Sequence, residues 1–600
     1  FGRGQHSFTT AMADQKPLTS SPEEATEAGT TTTTTIPQAQ IQDDVVLVEA
    51  KHAADTEHEM TLLRAIQLYP KAIGWSVLLS STLIMEGYDL ALLGSLYASP
   101  VFNKKFGELN PATGKYAVSA AWQSGLSNGA RAGEIFGLIF AGWAADRIGY
   151  KKTTIASLVL MITFIFVLFF APNVKVLVVG EVLCGKFTCK PVFMDVPTVP
   201  SQGSIDTRRL RDVVYLMEGQ RCMLANHLRS VRTKTGIPWG AFQSVTPAYA
   251  SEVAPMVLRP YLTTFINMCW VIGQFFAAAV NKGSVGRTDQ WAYRIPFGVQ
   301  WVWPIPILAG LVFAPESPWW YVRHDRREEA KQSLLRLTSR NQPGFNVDET
   351  LAMIEHTNEL EKQMKEGVTF RDCFRGVDLR RTEIVVGIWL VQTLGGQNLM
   401  GYFSYFLTQA GMDPSNSFSL SMGQYALGMV GTAGSWFLMS RVGRRRIHFS
   451  GLCAQFCLLA IVGCLSFGGN KASVWAIGGV LVAFTFVYDF AVGPVTYCLI
   501  SELSSTRLKA KTIVLARAAY NASNIFVNVM TNYQLSSTAW NWGARTAFFW
   551  AGSCLLSAIW VFFRLPEPKG RTYAELDILF EKKVTARKFR KTKVDPFDLR

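Results

Sequence analysis

Glu86 and Asp89 stand inside Ile84–Ala98, a stretch otherwise apolar enough to belong to a membrane helix. A charge near the centre of a bilayer costs about 2.5–3.5 kcal/mol even on lenient insertion scales, so such a pair persists only where it faces a cavity or a partner. Its chemistry is that of a substrate path or a proton relay. Glu181, Arg517 and Arg131 share the predicament, and Arg131 has Glu134 three residues on. For Arg131 a structural ion pair with Glu134 and a functional role are equally compatible with the sequence. No nucleophile with a base, metal-ligand cluster or phosphate-binding loop occurs, so the chain does not read as an enzyme and implies no cofactor.

The elements that must position these residues follow from composition. At 600 residues, 49% hydrophobic and only 17% charged, the chain is too apolar for a soluble enzyme of its length and implies a multispanning membrane protein in contact with lipid. The net charge of +15 does not point to nucleic acid, because Lys and Arg sit in short clusters between apolar runs, as in cytosolic loops facing anionic lipid. Stretches of about 20 apolar residues predict spans near 72–95, 117–142, 153–171, 261–281 and 295–314. A second set falls near 382–408, 420–439, 446–467, 473–501, 509–532 and 544–563. The fourth span lies in two pieces, 174–185 and 236–252. The expected fold is thus an all-α membrane protein of 12 transmembrane helices in two pseudo-symmetric six-helix bundles, residues 71–315 and 381–565, acting as a monomer. Residues 1–70, with the run Thr30–Thr35, form a polar N-terminal tail too poor in apolar residues to order itself. Residues 316–380 pattern as amphipathic helices on one membrane face, and 566–600 form a second tail.

Basic clusters at 146–152, 323–331, 441–446 and 587–593 fall at alternate ends of the spans, which makes those loops and both termini cytosolic. The lone glycosylation sequon, at Asn521, lies within a span and is not expected to be modified. The halves echo each other: GWAADRIGYKK after span 2 is matched by MSRVGRRR after span 8, and SEVAPMVLR after span 4 by SELSSTRLK after span 10. Repeats of this kind place a central site between two bundles. The echoed charges, Asp146, Arg147, Glu252, Arg259, Glu316, Arg441, Glu502 and Arg507, are expected to lock the halves through cross-loop ion pairs.

At these residues the chain resembles the sugar porter family of the major facilitator superfamily. GWAADRIGYKK is similar to its loop 2–3 signature, PESPWW (315–320) to the one after span 6, GPVTYCLISELSSTR (493–507) to the one of spans 10 and 11, and LPEPKGRT (565–572) to the one after span 12. EGYDLALLGSLYA, GIPWGAFQSVTPAYASEVAP and QNLMGYFSYFLTQAG most resemble fungal maltose and other α-glucoside permeases. The resemblance implies proton-coupled uptake of an α-glucoside at the plasma membrane. A hexose transporter, a sensor that binds without transporting and an inactive product are the alternatives.

The resemblance also assigns roles. Asp89 corresponds to the carboxylate that takes up the coupling proton. Where many relatives carry an Arg on span 4 this chain has Glu181, and a cation appears instead at Arg517, so Glu86, Asp89, Glu181 and Arg517 are expected to form one buried charged group. A carboxyl that alternately meets and leaves a cation gives up and takes up a proton. For the sugar, Gln392 and Asn398 occupy the first Gln and the Asn of the family's QQxxGxN, with Thr393 as the departure. Asn267 stands at a usual Gln position, Tyr497 at the usual Trp of GPIPW, and Asn521 with Asn524 at the paired amides of span 11. These departures are compatible with a larger, differently shaped ligand than glucose. Any one of the amides alone is equally explained by an interhelical hydrogen bond of about 0.6 kcal/mol.

Residues 186–235 interrupt span 4 with nine Lys or Arg and four acids, where the family pattern reads LCGIPWGAF without a break. Such a segment cannot stay in hydrocarbon. It reads as an unspliced intron, since Gly-Lys-Phe at its start is encodable across a GTAAGT donor and Thr-Gly at its end across an ACAG acceptor. Pro260 replaces the usual Gly after Arg259, a position tolerable in a helix's first turn.

Overall fold

The computed structural model describes residues 60–109, 116–185, 238–255, 257–339, 346–365, 370–468, 470–504, 508–569, 571 and 573–592, with 49, 52, 53, 56 and 59 ahead of them. The expectations for the chain before 49, for Thr30–Thr35, for 186–235 and for Arg507 lie outside the described residues.

Within them the apolar runs are helical within a few residues of expectation. Span 1 comprises Pro70–Ser80 and Thr82–Leu96, span 2 Ala120–Ile148, span 3 Tyr150–Phe169, and span 4 the pieces Val174–Gly185 and Pro238–Val253. Span 5 is Arg259–Ser284, with Pro260 in its first turn, and span 6 joins Trp291–Val299 to Pro304–Phe313. In the second half span 7 starts as Gly376–Gln392 and ends as Phe403–Gln409, and span 8 is Pro414–Arg441. Span 9 is Arg444–Leu465, span 10 Lys471–Val487 with Gly493–Leu503, span 11 Lys509–Leu535 and span 12 Thr546–Arg564. Caps appear where the sequence provides them. Asp413 accepts from Ser415 N at 3.0 Å ahead of Pro414, and Ser317 accepts from Trp320 N at 3.4 Å ahead of Pro318.

Among the described residues seven helices are long and apolar enough to cross a membrane by length and composition: spans 1, 3, 5, 6, 9, 10 and 12. Spans 3, 6, 9 and 12 are 33–44% buried inside the protein against 72% for span 1, so they form the lipid-facing periphery. Spans 2, 4, 7, 8 and 11 miss that threshold because they are broken or carry the polar side chains of the interior. Small residues let the interior helices meet closely. A methyl on Gly87 would collide with the Trp270 backbone, and one on Gly273 with that of Ile84, so spans 1 and 5 cross backbone to backbone.

The loop signatures join up inside each half. Glu316 accepts from Tyr150 N and Lys151 N, each at 3.0 Å, and from Ser317 N at 3.1 Å, which caps the start of span 3. Gly149 (φ 95°) lets that carboxylate approach. Burial raises the Glu316 carboxyl above the ordinary range while the backbone N–H groups pull it back. In the other half Glu567 lies against Gly443 in the equivalent place. Replacing Glu316 by Ala strands these donors, which costs about 1–3 kcal/mol. The expected result is a lower melting temperature and lower surface abundance with unchanged sugar affinity in the molecules that remain. A changed affinity at normal abundance would count against a capping role.

The pairing of the remaining signature charges differs from expectation. Glu252 bonds Arg323 at 2.9 Å and the Tyr150 hydroxyl at 2.8 Å, and Glu502 bonds Arg444 at 3.0 Å. Arg259 donates to Ala254 O at 3.1 Å. Arg147 stacks over Trp143 at 4.7 Å and Arg441 over Phe437 at 3.8 Å, while Asp146 offers its backbone carbonyl to the Trp320 indole at 3.1 Å. These contacts stay within a half, because loops next to each other in sequence reach their own bundle's neighbours first.

Candidate functional site

Between the bundles lies a cavity walled by spans 1, 2, 5, 7, 10 and 11, with Asp89, Arg131, Asn267, Gln392, Asn398, Asp489, Tyr497 and Asn524 among its lining. Two irregular turns shape the C-terminal wall. Wide π-type turns at Thr393–Gln397, with Gly396 at φ 90°, and at Tyr488–Val492 shift the helical register at the places where Gln392, Asn398 and Asp489 meet the cavity. Turns of this kind gather at functional sites.

The embedded charges separate into two groups. In the first, Arg131 bonds Glu134 at 2.9 Å and approaches Glu86 at 3.8 Å. Arg517 reaches from span 11 to Glu134 at 3.7 Å, and its Nε donates to the Gln243 carbonyl at 2.7 Å. Gln243 in turn donates its amide to Glu86. Arg517 is nested on the faces of Tyr520 (4.5 Å), Trp389 (4.7 Å) and Trp270 (5.7 Å), where a weakly hydrated guanidinium is stabilised by the ring quadrupoles. Two carboxyls thus face two guanidiniums, and the quartet is balanced across the bundle interface.

The second group is a carboxyl pair. Asp89 accepts from Gln300 Nε2 at 2.6 Å, and the Glu181 carboxyl lies against Asp89. Glu181 is 0% exposed, and no amide, hydroxyl or guanidinium donor reaches either of its oxygens among the described residues. No ion pair among the described residues joins Asp89 or Glu181 to an arginine. Carboxyls this close do not both stay charged in a low-dielectric site. The expected single group of Glu86, Asp89, Glu181 and Arg517 is therefore divided: Arg517 serves Glu86 and Glu134, and Asp89 is paired with Glu181 and Gln300.

Of the amides expected to meet sugar, Asn267, Gln392, Asn398 and Asn524 reach the cavity together with Tyr497. Asn521 is fully buried outside that wall. Asn267 donates to Thr432 Oγ1 and to Asp489 Oδ1, both at 3.3 Å, and Asn398 to Asn528 Oδ1. Sequence reasoning missed Asp489, Gln243 and Gln300. Asp489 was findable by the rule that selected Glu86, since it is the lone carboxylate in LVAFTFVYDFAVGP. The two glutamines carry no charge and give no comparable signal.

A cavity lined by amides, hydroxyls and aromatic faces is matched to polyhydroxylated ligands. The sequence model of the family described as sugar (and other) transporter matches residues 75–189 and 222–580. The chain belongs to this sugar transporter family. It is 39% identical to the maltose permease MAL31 of Saccharomyces cerevisiae over 559 residues, 92% of this chain and 83% of the relative. The general alpha-glucoside permease of S. cerevisiae strain CEN.PK113-7D is likewise 39% identical over 556 residues, 92% and 82% of the two chains. Among solved structures, the partially occluded inward-open xylose transporter XylE from E. coli superposes with a TM-score of 0.60 at 19% identity over 84% of this chain and 100% of that one. The major facilitator superfamily proton:xylose symporter XylE bound to 6-bromo-6-deoxy-D-glucose gives 0.62 at 17% identity over 85% and 99%. The fold is that of the major facilitator superfamily, and this sugar transporter is a multi-pass membrane protein.

Proposed function

We propose that the chain is a proton-coupled symporter of an α-glucoside of the maltose type, working by alternating access of its two bundles at the plasma membrane with both termini cytosolic. The observation that carries this reading is Asp89 on the cavity wall, with the buried Glu181 carboxyl behind it and with no ion pair to an arginine among the described residues. A proton lodged there is exposed first to one side and then to the other as the bundles rock. Asn267, Gln392, Asn398, Tyr497, Asn524 and Asp489 supply the hydroxyl-matching groups and the aromatic face for the sugar. The relatives named maltose and general alpha-glucoside permeases support the substrate class, and the likeness to a proton:xylose symporter supports the coupling. The orientation rests on the alternation of basic clusters.

Labelled maltose supplied to cells expressing the chain, with and without a protonophore and with glucose or xylose as competitor, tests the reading. Accumulation abolished by the protonophore and outcompeted by other α-glucosides is expected. Accumulation of hexoses alone would replace it with the hexose reading, and binding without entry would replace it with the sensor.

A second reading has its own observation. The family match leaves residues 190–221 out, within the interruption of span 4. On that reading the chain as written is an inactive form whose working counterpart lacks residues 186–235.

A further inference from the structure

Gln243 sits where the two bundles meet. It belongs to span 4 of the N-terminal bundle, donates its amide nitrogen to Glu86 on span 1, and accepts from Arg517 Nε of the C-terminal bundle at 2.7 Å. The orientation of the amide is forced, because a guanidinium donates and never accepts. The carbonyl must face Arg517, which turns the NH2 toward Glu86, and the bond to Glu86 is charge-assisted only while that carboxyl is ionised. The charged and titratable groups that face its two partners, Glu86 and Arg517, are Arg131 and Glu134 of span 2, Tyr497 of span 10 and Tyr520 of span 11.

We propose that Gln243 is the positioning residue through which the charge state of Glu86 is transmitted to the grip of Arg517 on the N-terminal bundle. A proton arriving on Glu86 removes the negative charge that anchors the Gln243 NH2 and adds an O–H donor beside the amide carbonyl. That oxygen is then shared between the new O–H and Arg517, and the inter-bundle hydrogen bond loosens. The amide thus converts a proton on one bundle into release of the other. The O–H bond formed on Glu86 takes its proton from water and breaks when that proton returns to water, and every other bond made or broken is a hydrogen bond. This inference rests on the symport reading above.

The experiment is a double-mutant cycle on the full chain, with uptake corrected for surface abundance and sugar affinity of the purified protein measured at acid and at neutral pH. Gln243→Met keeps the length of the side chain and removes both hydrogen bonds. It is expected to flatten the pH dependence of affinity and to lower uptake at acid pH roughly tenfold. Glu86→Gln should do the same, and the double variant should be no worse than either single variant, because both act through one contact. Gln243→Glu keeps an acceptor for Arg517 whatever the state of Glu86, so it should slow turnover at every pH without loss of affinity, and it serves as the readout if the Met variant does not reach the membrane. A Gln243→Met profile with the wild-type shape and a uniformly lower rate would overturn the proposal, as would losses that add to those of Glu86→Gln. A wild-type chain whose affinity ignores pH would overturn the symport reading instead.

Discussion

Asp89→Asn is expected to reduce sugar uptake from concentration to equilibration, with label entering the cell only until the inside matches the outside. The replacement is nearly isosteric, and its Oδ1 still accepts the Gln300 amide that holds Asp89 at 2.6 Å, so packing of span 1 is retained. What is lost is the second carboxyl of the Asp89–Glu181 pair, and with it the group that carries a proton through the cycle. The magnitude follows from the driving force. One elementary charge moved through about 100 mV is worth about 2.3 kcal/mol, which sustains a sugar gradient of roughly fifty-fold at about 1.4 kcal/mol per decade. An uncoupled transporter sustains none. The measurement is the steady-state ratio of labelled maltose inside to outside, taken with and without a protonophore in variant and wild type. A variant that still accumulates maltose in a protonophore-sensitive way would remove Asp89 from the coupling mechanism. Glu181→Gln should weaken accumulation as well, because the remaining Asp89 then faces an amide and no longer shares a proton with a neighbouring acid.

The helices were legible because lipid enforces a length and an apolar composition that short stretches of sequence reveal. The site was legible where burial is expensive. Glu86, Asp89, Glu181 and Arg517 announce themselves by the cost of a charge in hydrocarbon, and all four lie within the same interior. Which of them pair was not legible. Arg517 was expected beside Asp89, but partner choice depends on how span 11 is rotated against span 2, and Glu134 and Gln243 stand nearer. Asp489 shows the same rule applied too narrowly, since span 10 also carries a lone carboxylate. The echoed loop motifs recur at corresponding places in the two halves, and their expected bonds across the halves are replaced here by nearer partners. Glu252 finds Arg323 in the segment that follows its own bundle, and Glu502 finds Arg444 within its bundle, because a short loop delivers its charges to the helices nearest to it. Gln243 and Gln300 were invisible in the sequence: a neutral amide in a membrane helix costs little, and only its partners reveal its task.

On the reading in which the interruption of span 4 inactivates the chain, removing residues 186–235 is expected to raise transport from little or nothing to a rate typical of the family. The two described pieces of span 4, Val174–Gly185 and Pro238–Val253, pack on the same neighbours, spans 2 and 3, and on each other. A methyl on Gly240 would strike the span 2 backbone at Leu138, so the second piece is seated as tightly as an uninterrupted helix would be. Their combined 12 and 16 residues at about 1.5 Å each suffice to cross a bilayer, whereas neither piece does so alone. The junction at Gly185 falls about 18 Å along that helix, near mid-depth. There, the nine basic and four acidic residues of the intervening segment each carry a penalty of about 2.5–3.5 kcal/mol if drawn into hydrocarbon. Glu181 lies four residues before the junction and Gln243 a few residues beyond it. The interruption therefore falls in sequence between the carboxyl beside Asp89 and the amide that meets Arg517. Joining Gly185 directly to Gly236 restores one helix carrying both groups. The test compares surface abundance and protonophore-sensitive maltose accumulation of the chain with and without residues 186–235, alongside the sequence of the transcript across this region. Equal accumulation by both forms, from a mature message that retains these codons, would show that span 4 works as written and that the segment is a genuine insertion.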